Sequence, residues 1–168
     1  MTTSVILFSA TPESIAPQRG VCWVAATEPV TLSDFDPLLR NHVNWISQTP
    51  FGWHRKPDAP EITTSADSRW WGESDEGVVR TAKIARQAGI KTLLKPHVWG
   101  RQWSGDISMD TEEKWALWFE NYQRFILHYA RLAEGAEIEA FCVGTELEGT
   151  TLSREREWRA IIDTVRQV

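Results

Sequence analysis

Cysteine is almost missing from this 168-residue chain: Cys22 and Cys142 are the only two, far apart and each inside an apolar, strand-like run. That spacing excludes a disulfide framework and a CxxC metal site, and buried free thiols are the expected account. No run of Lys and Arg is present to neutralise successive phosphates, and the formal net charge is −5, so no nucleic-acid partner is expected. Long hydrophobic runs are missing too. The N-terminal Val5-Ile6-Leu7-Phe8 has no basic residue before it and is shorter than a signal core of about 7 to 15 apolar residues. Nothing else is long or apolar enough to cross a bilayer, so no membrane partner is expected, and a cytoplasmic location follows by default. The phosphate-binding patterns GxGxxG and GxxxxGK[ST] are absent, as is the GxSxG nucleophile elbow. His42, His54, His97 and His128 lack HExxH-type spacing, so neither a metal nor another cofactor is expected.

What the chain has in excess is tryptophan, ten in all, within a composition otherwise ordinary for a globular domain. A broad indole face matches the C–H face of a pyranose, although most tryptophans in any protein serve as packing.

From residue 20 onward, short apolar or β-branched runs alternate with helix-forming segments, the pattern of a parallel sheet with crossover helices. Four units can be counted. Strands are expected at Val21–Ala25, His42–Ser47, Ile90–Lys95 and Ile138–Val143, pairing in that order, all parallel. A short helix is expected over Thr31–Arg40. Another is expected from Ser74 or Asp75 to about Ala88, ended by Gly89 in a left-handed conformation. Asp110 and Glu113 read as a capping box for the third helix. Its stripe of Trp115, Trp118, Phe119, Tyr122, Phe125, Ile126, Tyr129 and Leu132 recurs at i, i+3, i+4 and i+7. A last helix starts near Ser153. Long loops, Thr49–Ser74 and His97–Met109, follow the second and third strands, while the returns at Arg40-Asn41 and Gly89 are tight. In (β/α) barrels that asymmetry marks the loops after the strands as the active face.

Strand alternation selects the candidate residues. Ala140, Cys142, Gly144 and Glu146 share one parity of the fourth strand and Phe141 and Val143 the other, so packing the bulky pair under helices puts Glu146 at the mouth. A carboxyl group there, ringed by aromatic side chains, can deliver a proton to a leaving glycosidic oxygen. Leu93, Lys95 and His97 form a second inward series, with Trp99 and Trp103 just beyond as candidate sugar platforms. Strand parity is ambiguous on the second strand, and one of its two settings turns Asn44 inward; Trp53, Trp70 and Trp71 are candidates for a cleft wall. Taken singly, Gly-Thr-Glu is equally a solvated loop.

The segments Gly20-Val21-Cys22-Trp23-Val24-Ala25, Trp70-Trp71-Gly72-Glu73, Leu94-Lys95-Pro96-His97-Val98-Trp99 and Phe141-Cys142-Val143-Gly144-Thr145-Glu146-Leu147, in this order, resemble glycoside hydrolase family 113. The resemblance spans roughly residues 20 to 168. It implies an α/β fold, a parallel (β/α)₈ barrel of which only about the first four βα units are present, and a retaining β-mannanase chemistry on β-linked poly- or oligosaccharide. By position it implies that Glu146 is the acid/base, and that Trp23, Asn44, Trp71, Lys95, His97, Trp99 and Trp103 bind substrate. Residues 1–19 are then an N-terminal extension and 20–168 the half barrel.

A retaining hydrolase needs a second carboxylate as nucleophile about 5 to 5.5 Å from the first. In the resembling family it comes from a later strand, and Glu28 and Glu148, the nearby substitutes, do not match its place. A non-catalytic carbohydrate-binding remnant, or an open α/β domain with an unrelated ligand at its strand ends, remains an alternative. With four strands, self-association or pairing with a missing barrel half is also expected.

Overall fold

Seven strands form two sheets among the residues described by a computed structural model, 17–64 and 70–168. In chain order they are β1 (Gly20–Cys22), β2 (Trp45–Gln48), β3 (Phe51–Trp53), β4 (Thr63–Thr64), β5 (Lys91–Leu94), β6 (His97–Trp99) and β7 (Ala140–Phe141). The first sheet has the order β1-β2-β5-β7, and each neighbouring pair is parallel. This is the expected order of the four main strands.

The strands are shorter than the apolar runs suggested, and the reason lies at the helix ends. His42 (φ 56°), Gly89 (φ 75°) and Glu137 (φ 55°) each follow a helix in the left-handed conformation that closes it, so the first residues of the runs belong to turns. At the other end the ladder continues past the regular strand, with Trp23 N donating to Ser47 O at 2.9 Å and Cys142 N to Leu94 O at 2.9 Å.

Register assigns the two faces. Ile46 pairs with Thr92, and both are buried beneath helices; Leu94 pairs with Phe141, which packs on the main core. Cys22, Ser47, Leu93 and Ala140 are aligned on the other face and border an open cavity of about 310 Å³. This corrects the expectation for the thiols. Cys22 is exposed and Cys142 half-buried, because the concave face carries no covering layer among the described residues.

The second sheet, β4-β3-β6, was not foreseen in segments read as loops. Phe51 lies beside His97 and Trp53 beside Trp99 in parallel register. The intervening Gly52 and Val98 turn towards the core: a Cβ on Gly52 would stand 2.8 Å from the Phe125 ring, and Val98 is buried. Residues 65–69 of the insertion, and most of the 1–19 extension including Val5–Phe8, lie outside the described residues.

The helices are α1 (Asp36–Arg40), α2 (Asp75–Gln87), α3 (Glu112–Gly135), α4 (Glu148–Ser153) and α5 (Glu155–Val165). Ser74 caps α2 by accepting from Gly77 N at 3.1 Å, as expected. The cap of α3 is one residue later than the Asp110–Glu113 reading: Thr111 Oγ1 accepts from Lys114 N at 3.2 Å, and Asp110 spends its carboxylate on the Lys114 ammonium at 2.8 Å. The last helix, α5, starts close to the expected Ser153, and the short α4 before it, separated from it at Arg154 (φ −134°, ψ 48°), was not foreseen. None of the described helices is long and apolar enough to cross a membrane.

The stripe of α3 is the centre of the core. Trp118 stacks on Tyr122 with centroids 5.0 Å apart and planes 8° from parallel, and Trp158 of α5 meets Tyr122 at 5.2 Å. A smaller cluster of Val30, Phe35, Ile46, Ala85 and Ile90 fills the space under β1 and β2.

Candidate active site

The turn after β7 is held from three sides. Tyr122 Oη donates to Val143 O at 2.8 Å, the Cys142 thiol donates to Gly144 O at 3.1 Å, and Gly144 passes so close to Trp158 that an added Cβ would stand 3.0 Å from the indole. Glu146 follows two residues after Gly144, at φ 54°. Unlike the other left-handed residues it closes no helix; it sits between a strand end and α4. A non-glycine residue in this region costs about 1 kcal/mol, and such outliers mark sites where a side chain is being aimed.

His97, at the start of β6, is 5% exposed, and its Nε2 lies 3.8 Å from Glu146 Oε2. That is beyond hydrogen-bond length, and the nitrogen has no partner among the described residues. Burial pushes the His97 imidazole below its ordinary value; the Glu146 carboxylate opposes the shift and the Lys95 ammonium adds to it. The ring is therefore neutral at pH 7. Trp103 Nε1 donates to Glu146 Oε2 at 3.3 Å, with its indole lying over Gly105, where a side chain would collide with it. Trp99 stands edge-on to His97, centroids 5.3 Å apart. The Glu146 side chain is 51% exposed, Trp103 50% and Trp99 46%, so the group forms an open floor rather than a closed pocket.

Of the residues expected here, Glu146, His97, Trp99 and Trp103 are brought together, with Lys95 close enough to act on His97 electrostatically. Trp23 and Trp71 are elsewhere. Trp23 stacks on Phe35 at 4.7 Å, and Trp71 packs on the same small cluster with the Arg80 guanidinium 5.9 Å above its ring. Asn44 is a correction. It precedes β2, at the end of the sheet opposite Glu146, and both polar atoms of its side-chain amide are engaged: Oδ1 accepts from Arg19 N at 2.7 Å and Nδ2 donates to Pro17 O at 3.0 Å. A terminal clamp explains it without substrate. The sequence reading did not see that Phe51 joins the site, 5.8 Å from His97. The large–small–large alternation of Phe51-Gly52-Trp53 and His97-Val98-Trp99 was the available signal. Among the described residues no three His, Cys, Asp or Glu side chains are grouped as metal ligands.

This arrangement, one strand-end glutamate beside an aromatic floor, coincides with a match to the family model of Glycoside Hydrolase Family 113 over residues 25–168. The chain belongs to that family. Among solved structures, it is similar to a family 113 β-mannanase from Alicyclobacillus acidocaldarius in complex with ManMIm: TM-score 0.75, 27% identity, over 92% of this chain and 52% of that one. Two further structures of family 113 β-1,4-mannanases give TM-scores of 0.71 and 0.70 at 26% and 27% identity, each over 81% of this chain and 46% and 44% of theirs. No curated protein matches. This family 113 chain thus spans about half the length of the solved structures it resembles, consistent with four βα units of an eight-unit barrel.

Proposed function

We propose that Glu146 is the general acid/base of a retaining, β-mannanase-type glycosidase site, acting on β-linked poly- or oligosaccharide. The observation that carries this is the placement of Glu146 Oε2 against the Trp103 indole N–H and near a neutral His97, at the end of a parallel strand. The Trp103 bond fixes one carboxyl oxygen, leaving Oε1 to present the proton. In the first step that proton goes to the leaving glycosidic oxygen as the C–O bond breaks and a second carboxylate attacks the anomeric carbon. In the second step Glu146 takes a proton from water, which displaces that carboxylate. No residue of this chain is assigned as the nucleophile, which stands about 5 to 5.5 Å from the acid in retaining enzymes.

Neutral His97 can both donate to and accept from sugar hydroxyls, Lys95 adds a cationic donor, and Trp99 and Trp103 offer ring faces to pyranose C–H bonds. The β1 and β7 edges carry no further strand among the described residues, and the other half of the barrel is the partner that fits them.

The test is hydrolysis of β-1,4-mannan by this chain joined in frame to strands five to eight of a family 113 β-mannanase. Glu146→Gln should lower kcat about 10²- to 10⁴-fold on unactivated substrate, much less on an aryl glycoside whose leaving group needs no proton. Sugar binding by the joined barrel without turnover would favour a non-catalytic carbohydrate-binding protein instead.

A further inference from the structure

Beyond the Glu146 site, the second sheet continues its aromatic face into a cavity that the acid/base chemistry does not use. Alternation along β3 and β6 puts Phe51 and Trp53 on the same face as His97 and Trp99, and the register lines them up as two rows. His54 N donates to Trp99 O at 2.9 Å, so the pairing runs on past the regular strands and carries Arg55 and Arg101 to the next row. Trp53, His54, Arg55, Trp99, Gly100 and Arg101 line a cavity of about 580 Å³.

Three features make it a candidate binding site. Trp53 and Trp99, neighbours in register, leave 43% and 46% of their surfaces open, whereas Trp115, Trp118 and Trp158 are buried in the core. Arg55 and Arg101 are exposed, and neither has a carboxylate within 4 Å among the described residues, although acidic side chains outnumber basic ones in the chain. His54 is 5% exposed, packed under Gly100, and neither ring nitrogen has a hydrogen-bond partner among the described residues. Core atoms such as Thr81 Oγ1 and Trp118 Nε1 share this condition, and what sets His54 apart is its place in the lining of this cavity.

We infer that this cavity binds a carboxylate-bearing sugar residue, a hexuronate within or branching from a β-linked glycan. The paired indoles suit the pyranose faces, while a planar carboxylate matches the fork of a guanidinium as a neutral hydroxymethyl group does not. Through the contact of Trp99 with His97 the cavity is continuous with the Glu146 floor, so the inference rests on the glycan reading of that site for its ligand class but not on turnover there.

The experiment is calorimetric titration of the 168-residue chain with a β-linked oligosaccharide containing one glucuronate, against the same oligosaccharide after reduction of its carboxyl group to the alcohol. The uronate should bind at least about tenfold more tightly, with an affinity that falls as salt rises. Arg55→Gln/Arg101→Gln should abolish that preference, and Trp53→Ala should weaken both ligands. Arg156→Gln/Arg166→Gln, which removes the same charge from α5 and its end, should leave the preference intact. Circular dichroism checks that each variant is folded. Equal binding of the two oligosaccharides, no binding of either, or a preference that survives the Arg55/Arg101 change would overturn the inference. Because the readout is binding, it can fail while Glu146 proves catalytic, or hold while Glu146 proves inert.

Discussion

Removing one oxygen atom from the core should reveal how the strand end that bears Glu146 is held. Tyr122 is 1% exposed, its ring stacked on Trp118, and its hydroxyl donates to Val143 O at 2.8 Å, three residues before Glu146. Burial, reinforced by the nearby Cys142, pushes the phenol above its ordinary value, so it remains a donor throughout the pH range in which the protein can be studied. Tyr122→Phe keeps the ring, its volume and its stacking, and deletes only this bond. The net loss is about 1 kcal/mol, rising to about 3 kcal/mol if the Val143 carbonyl finds no other donor. For a chain of 168 residues that corresponds to a Tm lower by about 3 to 8 °C. Tyr122→Ala, which also empties the space between Trp118 and Trp158, should cost about 3 to 5 kcal/mol. Thermal unfolding followed by circular dichroism reads both. If Tyr122→Phe melts with the parent while Tyr122→Ala is strongly destabilised, the hydroxyl does not anchor the turn and the account of Glu146 placement fails.

His97 supplies a pH signature. Its folded-state value lies below the ordinary 6.5, so the unfolded chain takes up a proton that the folded chain resists; stability from this residue is complete above pH 6.5 and declines as pH falls through and below it. His97→Gln should flatten the drop in urea midpoint between pH 7 and pH 5, and an unchanged drop would refute the burial argument. Thr111→Ala should cost about 1 kcal/mol as a lost helix cap, whereas Asp110→Ala should be milder; the reverse order in chemical denaturation would restore the earlier cap position. With nothing among the described residues covering the β1 and β7 edges or the concave face, the chain alone should self-associate, seen as a concentration-dependent mass in light scattering; a monomer at every concentration would contradict it.

The parallel order of β1, β2, β5 and β7 was legible because short apolar runs alternate with helix-forming segments, and because Ser74 caps α2 and Gly89 stops it in a left-handed conformation, signals that act within a few residues. The α3 stripe was legible for the same reason. The β4-β3-β6 sheet was not, because Phe51-Gly52-Trp53 and His97-Val98-Trp99 are three-residue strands that pair with each other across more than forty residues, and three residues of alternation are too short a signal to stand out from a loop. The site divided similarly. Glu146 and His97 were singled out by strand parity and Trp103 only as lying just beyond, while parity on the second strand was ambiguous, and only the Arg19 and Pro17 contacts show that Asn44 serves the opposite end. Trp23 and Trp71 carry family motifs, yet the small cluster around Phe35 claims their surfaces.

The central claim, that Glu146 moves the proton, is tested most directly by azide rescue in the joined barrel. With Glu146→Gln and an activated aryl β-mannoside, the first step no longer needs an acid, while the second lacks its base; azide needs none. The account predicts that azide restores turnover and yields a β-mannosyl azide of retained configuration. A Glu146→Gln enzyme that hydrolyses mannan at the parental rate, indifferent to azide, would contradict it.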